Sequence, residues 1–173
     1  MDDRDVSTMP VDGVLGLAAV GPTVLSRAGL ERIGYADVFT MRVPGAAATP
    51  EQWARAMFGD VPTVGEQFIW QGLLQLRLVP GRSGSAVAGW QIAARGEDWI
   101  RLEARSWDMA VNLIVRATPS EVSLATLIRY DRLPASQVWT VLSAVHRRLA
   151  PGLLRAAAAA VVRVDRGSGQ VGS

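Results

Sequence analysis

The chain has 173 residues, 49% of them hydrophobic, a formal net charge of +2 and one histidine, His146; this is enough for one well-filled domain and short for two. It contains no cysteine and all 18 of its basic residues are arginine, which excludes thiolate nucleophiles, disulfides, Cys-ligated zinc, a Schiff-base lysine and the lysine of a phosphate-binding loop. The arginines are scattered, with Arg147 and Arg148 the only adjacent pair, so the clustered basic face of a nucleic-acid binder is missing despite a computed pI near 9.9.

A single histidine also leaves no two-histidine metal site, and neither a metal nor a cofactor is expected. No apolar run approaches the roughly 20 residues that span a bilayer, and the first ten residues, MDDRDVSTMP, are acidic. The expectation is a soluble, cytoplasmic protein with no membrane or nucleic-acid partner.

Residues 1–30 mix charge, glycine and small apolar residues, and read as a short helix or an arm. YADVFTMRV, residues 35–43, alternates as a first strand, and Pro44 and Gly45 end it. Two helix starts follow, each with a capping box. In the first, Thr49 caps, Pro50 stands where a missing N–H costs nothing, and Gln52 closes the box; this helix ends at Gly59 and buries Trp53, Met57 and Phe58. In the second, Thr63 caps and Glu66 closes, which makes Glu66 structural, and Ile69, Leu73 and Leu76 keep a helical stripe. Residues 80–85 form a plain loop, since this Gly-containing stretch leads to a strand rather than to a helix.

AVAGWQIAAR, WIRLEARSW, VNLIVRAT and VSLATLIRYD read as four consecutive strands of an antiparallel meander. Breaks fall at residues 96–98, around 108–110, and at 118–121, where Pro119 favours a turn. Alternation places Ile100, Leu102 and Ala104 on one face with Val111, Leu113, Val115, Leu124, Thr126, Ile128 and Tyr130, and Arg101, Glu103 and Arg105 on the other. The charged row reads as a solvated outer face. Trp99 and Trp107 share it and offer a contact for a homodimer.

A long helical segment begins near Ala135 and reaches at least Leu149. Val138, Leu142, Val145 and Leu149 make its stripe, with Trp139 and His146 beside it, two turns apart. Pro151 is expected to kink or interrupt the segment, and residues 166–173 read as a disordered tail. The domain itself is placed at 31–165.

Strand, two small helices, meander and one long C-terminal helix resemble the START-like helix-grip superfamily, which includes aromatic polyketide cyclases and lipid-transfer domains. The end of the chain is similar to a bacterial subgroup of unknown function in which an aromatic-Asp pair closes the last strand and the helix carries an aromatic residue, a central histidine and a Leu-Leu-like pair. Tyr130 and Asp131, Trp139, His146, and Leu153 with Leu154 occupy those positions here. The resemblance is clearest over residues 86–156 and weaker over 35–78. It implies an α+β helix-grip fold, a curved antiparallel sheet wrapped around a long C-terminal helix. Five strands are counted where larger members have seven, which implies a smaller or more open cavity.

The resemblance also implies a pocket between sheet and helix. Small inner-face residues, Ala88, Ala94, Ala104 and Thr126, leave room for it. The expected ligand-binding residues are Trp70, Trp90, Leu102, Leu113, Thr126, Trp139 and Leu142, and the expected catalytic residues are His146 and Tyr130. His146 is the one side chain whose ordinary pKa lies near neutrality. It reads either as a general acid or base within reach of Tyr130 or an acidic residue, or as a structural residue at the cavity edge, capping a carbonyl or hydrogen-bonded to Asp131.

Three functions fit these residues. The first is a cofactor-independent cyclase, isomerase or dehydratase acting on an apolar, oxygenated, polyketide-like substrate of secondary metabolism. The second is a carrier of an apolar ligand, and the third a dimerising structural module with a closed core.

Overall fold

A computed structural model describes residues 6, 8–45 and 47–169. The architecture is α+β: one curved, open, antiparallel sheet of seven strands and a long C-terminal helix. In chain order the elements are β1 (Val11–Leu15), α1 (Pro22–Ser26), β2 (Tyr35–Arg42), α2 (Pro50–Phe58), α3 (Val64–Gln67), a π-helical turn (Phe68–Leu73), β3 (Ala86–Val87), β4 (Trp90–Arg95), β5 (Trp99–Arg105), β6 (Met109–Ala117), β7 (Glu121–Tyr130) and α4 (Leu133–Gly169). The strand order is β1-β2-β7-β6-β5-β4-β3, so β3 to β7 form the meander and β2 closes against its last strand.

Seven strands replace the expected five for two local reasons. Residues 11–15 pair with β2, although glycine-rich composition gave them little strand character. The stretch AVAGWQIAAR folds back on itself at Ala88 and Gly89, both at positive φ, the backbone of a two-residue hairpin turn. A side chain at Gly89 would meet Leu78 Cβ at 2.9 Å and the Val79 carbonyl at 3.0 Å, so this turn admits only glycine there.

A second irregularity moves side chains between faces. The β4–β5 register shifts between Ile92 and Ala94, so that Ala94 lies opposite Arg101 and Arg95 opposite Ile100. The bulge therefore turns Ala94 to the outer face, against the expectation that it lines the inner one. It also turns Arg95 inward, where its guanidinium reaches Glu51 of α2 at 3.0 Å.

The capping boxes form as their sequences require. The Thr49 side chain accepts from the Gln52 amide while the Gln52 side chain accepts from the Thr49 amide. Thr63 and Glu66 make the same exchange. α2 buries Trp53, Ala54, Met57 and Phe58 and ends at Gly59, at φ 74°. The second helix departs from its expected stripe. After one α-turn it widens, with the Leu74 amide donating to the Ile69 carbonyl, and the register slips. Leu73 is exposed, while Leu74 and Leu76 are buried.

The sheet is covered on both faces. On the concave face, α2 and α4 pack over the odd positions of β2 and the expected inner set of β5 to β7, enclosing the main core. On the convex face, residues 20–33 lie over Ala36, Ile114, Ala125 and Leu127 and form a second small core with Trp99. The outer row is accordingly not simply solvated: Arg101 donates to the Arg27 carbonyl at 2.8 Å, and the Arg27 guanidinium lies 5.3 Å from the Trp99 ring centroid. Trp99 is thus used within the chain, whereas Trp107 is exposed with Arg77 stacked over it.

α4 runs unbroken through Pro151, although that residue has no N–H to donate to the Arg147 carbonyl. Residues 166–169, expected within the tail, are helical. The rest of that tail, residues 170–173, lies outside the described residues, as do residues 1–5 of the expected arm. Among the described residues no helix is long and apolar enough to cross a membrane.

Candidate functional site

Antiparallel register brings three strands to one spot. Asp37 of β2 lies directly opposite Thr126 of β7, and Thr126 opposite Leu113 of β6. Paired residues share a face, so Asp37 projects into the concave side, where the alternation of β2 otherwise places Tyr35, Phe39 and Met41. α4 crosses above and presents Trp139 and His146 from one side, two turns apart.

The result is a hydrogen-bonded chain. The Tyr35 hydroxyl donates to Asp37 Oδ2 at 2.6 Å, and His146 Nε2 approaches the same oxygen at 3.0 Å and Thr126 Oγ1 at 3.3 Å. Asp37 is fully buried, and His146 is about one-fifth exposed, at 21%. Among the described residues Asp37 Oδ1 has no hydrogen-bond partner, an arrangement that costs stability and survives where something else requires it. The imidazole is flanked by Trp139 at 5.5 Å and Phe39 at 6.0 Å between ring centroids. Burial, reinforced by the hydrogen bond to Asp37, pushes the Tyr35 hydroxyl well above the usual tyrosine range, so it stays a donor.

Beside this chain lies a cavity of about 470 Å3, within the size range of small-molecule sites. Its floor is Val111, Leu113, Leu124 and Thr126, and α4 roofs it with Trp139, Leu142, His146 and Leu153. Phe58, Trp70 and Trp90 close one end edge-to-face, the two indoles 5.4 Å apart. Val145 and Leu149 line it yet are about half exposed, so the cavity opens along that edge of the helix. The lining is overwhelmingly apolar; its hydrogen-bonding side chains include Thr126, Glu66 and His146, and Glu66 Oε2 is engaged by the Thr63 amide and hydroxyl.

Of the residues singled out from sequence, Trp70, Trp90, Leu113, Thr126, Trp139, Leu142 and His146 all line this cavity. Leu102 does not: it is fully buried in the packed core on the same face, where α2 packs over β5. Tyr130 is outside the lining as well. It packs against Gly34, whose added Cβ would clash with its ring, and burial raises its hydroxyl to about 12. The acidic partner of His146 is Asp37; Asp131 instead pairs with Arg129 at 2.8 Å.

Sequence reasoning missed Asp37 and Tyr35. The signal was present in YADVFTMRV, where period two places a carboxylate among apolar inward positions, a violation of patterning that function commonly explains. Among the described residues no cluster of histidine, aspartate and glutamate could hold a metal ion. No family model matches the chain, and neither curated proteins nor solved structures match it.

Proposed function

We propose that this chain is a small-molecule pocket protein of the START-like helix-grip kind, and that its pocket moves protons on an apolar, oxygenated substrate without a cofactor, as a cyclase, isomerase or dehydratase would. The observation that carries the reading is the coincidence of an apolar cavity with one imidazole held from behind by a buried carboxylate. Asp37 accepts from Nε2–H and steadies the positive charge that would develop if His146 took a proton. The opposite ring edge is left for substrate. Holding a flexible substrate against apolar walls lowers the barrier further by restricting its conformations.

Cyclisation, isomerisation and dehydration of oxygenated carbon skeletons share one elementary step, removal of a proton next to a carbonyl. The test is therefore hydrogen exchange at the α-carbons of 2-tetralone in D2O, followed by NMR. The proposal expects the wild-type chain to accelerate exchange and His146→Ala to lose at least about 100-fold of that acceleration, the usual scale of a positioned base. Equal exchange with and without protein, under conditions where the ketone is bound, would remove the catalytic reading.

That outcome would favour a carrier. One observation supports this second reading: Val145 and Leu149 make a half-exposed apolar lip through which a ligand could pass in either direction. A co-purified apolar compound in native mass spectra, with no exchange activity, is its signature.

A further inference from the structure

The chemistry of the ligand can be narrowed by asking what the polar wall of the cavity lacks. A carboxylate has lone pairs and no proton, so at Asp37 Oδ2 it accepts from both the Tyr35 hydroxyl and His146 Nε2. A neutral imidazole carries one N–H. With that proton on Nε2, Nδ1 has a free lone pair, and it has no protein partner among the described residues. His146 therefore offers an acceptor that no described residue satisfies, in a mostly apolar wall where Glu66 Oε2 is already engaged by Thr63 and Thr126 Oγ1 lies beside Nε2.

Resting on the pocket reading above, we propose that the cavity selects ligands carrying a weakly acidic hydroxyl, a phenol or an enol, on a flat apolar frame, with the hydroxyl donating to His146 Nδ1. Asp37 is a positioning residue for this contact: it fixes the tautomer and ring orientation. A hydroxyl carried into apolar walls without an acceptor loses its water and weakens binding relative to the bare hydrocarbon. With an acceptor waiting, and otherwise left unpaired when the hydrocarbon binds, the same hydroxyl strengthens it.

The probes are naphthalene, 2-naphthol and 2-methoxynaphthalene, titrated into the full chain with Kd read by fluorescence or calorimetry. 2-Naphthol is expected to bind about tenfold more tightly than naphthalene, the effect of one well-made hydrogen bond, and 2-methoxynaphthalene, which cannot donate, to gain nothing. In His146→Phe, which keeps a ring and removes the acceptor, the order should reverse. An unchanged order in His146→Phe would assign the acceptor to another group and overturn the proposal. If none of the three binds, the pocket reading itself fails. If naphthalene binds and 2-naphthol gains nothing over it, this inference alone fails.

One readout needs no variant. Because the chain has one histidine, two-bond 1H–15N spectra of labelled wild-type protein show one imidazole. At pH 8 its Nδ1 should resonate as an unprotonated nitrogen and move upfield on saturation with 2-naphthol. A proton found on Nδ1 in the free protein, or an unmoved resonance at saturation, would overturn the assignment.

Discussion

Each face of the sheet buries a strongly polar side chain, Asn112 on one and Asp37 on the other, and the two are treated differently. On the convex face, Asn112 is buried and neutral, and it is satisfied locally: its Oδ1 accepts the Gly29 amide at 2.8 Å and its Nδ2 donates to the Val111 carbonyl at 3.1 Å. On the concave face, Asp37 is buried, has one oxygen with no partner among the described residues, and turns the other to a tyrosine and a histidine that borders a cavity. The covering elements explain the contrast. Residues 20–33 are a short stretch packed against Ala36, Ile114, Ala125 and Leu127. α4 is one long helix crossing a curved sheet, and side chains alone do not fill the space between them. A sheet sealed on one side and hollow on the other can keep its stability in the first and place its chemistry in the second.

The largest test of that contrast is a pair of truncations. Leu127→Ala, in the sealed layer, should cost about 2–5 kcal/mol, because the site has nowhere to collapse. Leu142→Ala merely enlarges an existing hollow and should cost under about 1 kcal/mol; equal losses in urea unfolding would erase the distinction between the faces. Next in size is Asn112→Ala, expected to cost about 1–3 kcal/mol because the Gly29 amide is stranded.

Asp37→Asn should stay within about 1 kcal/mol of wild type, since removing an incompletely paired buried charge offsets the lost hydrogen bonding, while the 2-naphthol preference falls. A large loss of stability with unchanged ligand preference would make Asp37 a structural residue like Asn112.

The smallest effect is spectroscopic. The chain has two tyrosines, Tyr35 and Tyr130, both on or beside the concave face, and burial raises both hydroxyls, Tyr130 to about 12. A raised value favours the protonated form of the folded chain. The associated stability is complete below the ordinary value near 10 and is lost as pH climbs through the folded values. Absorbance at 295 nm should therefore show no tyrosine titrating near pH 10 while the chain is folded, and Tyr35→Phe should flatten the alkaline limb of the stability curve. A tyrosine ionising near pH 10 in the folded protein would argue that Tyr35 is not buried against Asp37.

Much of this was legible in the chain itself, where the interaction is local or periodic. Thr49 with Gln52 and Thr63 with Glu66 sit within one turn, so their caps can be read directly. The apolar alternation of residues 100–128 places Leu113 and Thr126 on the cavity floor, and helical period places Trp139 and His146 on its roof. What escaped was non-local or arose from small backbone departures. The Asp37–His146 contact spans more than a hundred residues and depends on β2 pairing with β7, which no local pattern encodes. The bulge that turned Ala94 outward, the π-turn that exposed Leu73 and the tight turn at Ala88 and Gly89 each shift the register by a residue or two, enough to reverse a face. Leu102 was on the expected face, but which helix covers a given strand is decided by packing.

The claim underlying all of this is that the concave hollow, and not the convex layer, receives an apolar molecule beside His146. The most direct measurement is a methyl-labelled NMR titration with 2-naphthol. The account predicts shifts confined to Leu113, Leu142, Val145, Leu149 and Leu153 along the cavity, with Ile114, Ala125 and Leu127 unmoved. Shifts centred on the convex cluster, or none at saturating probe, would contradict it.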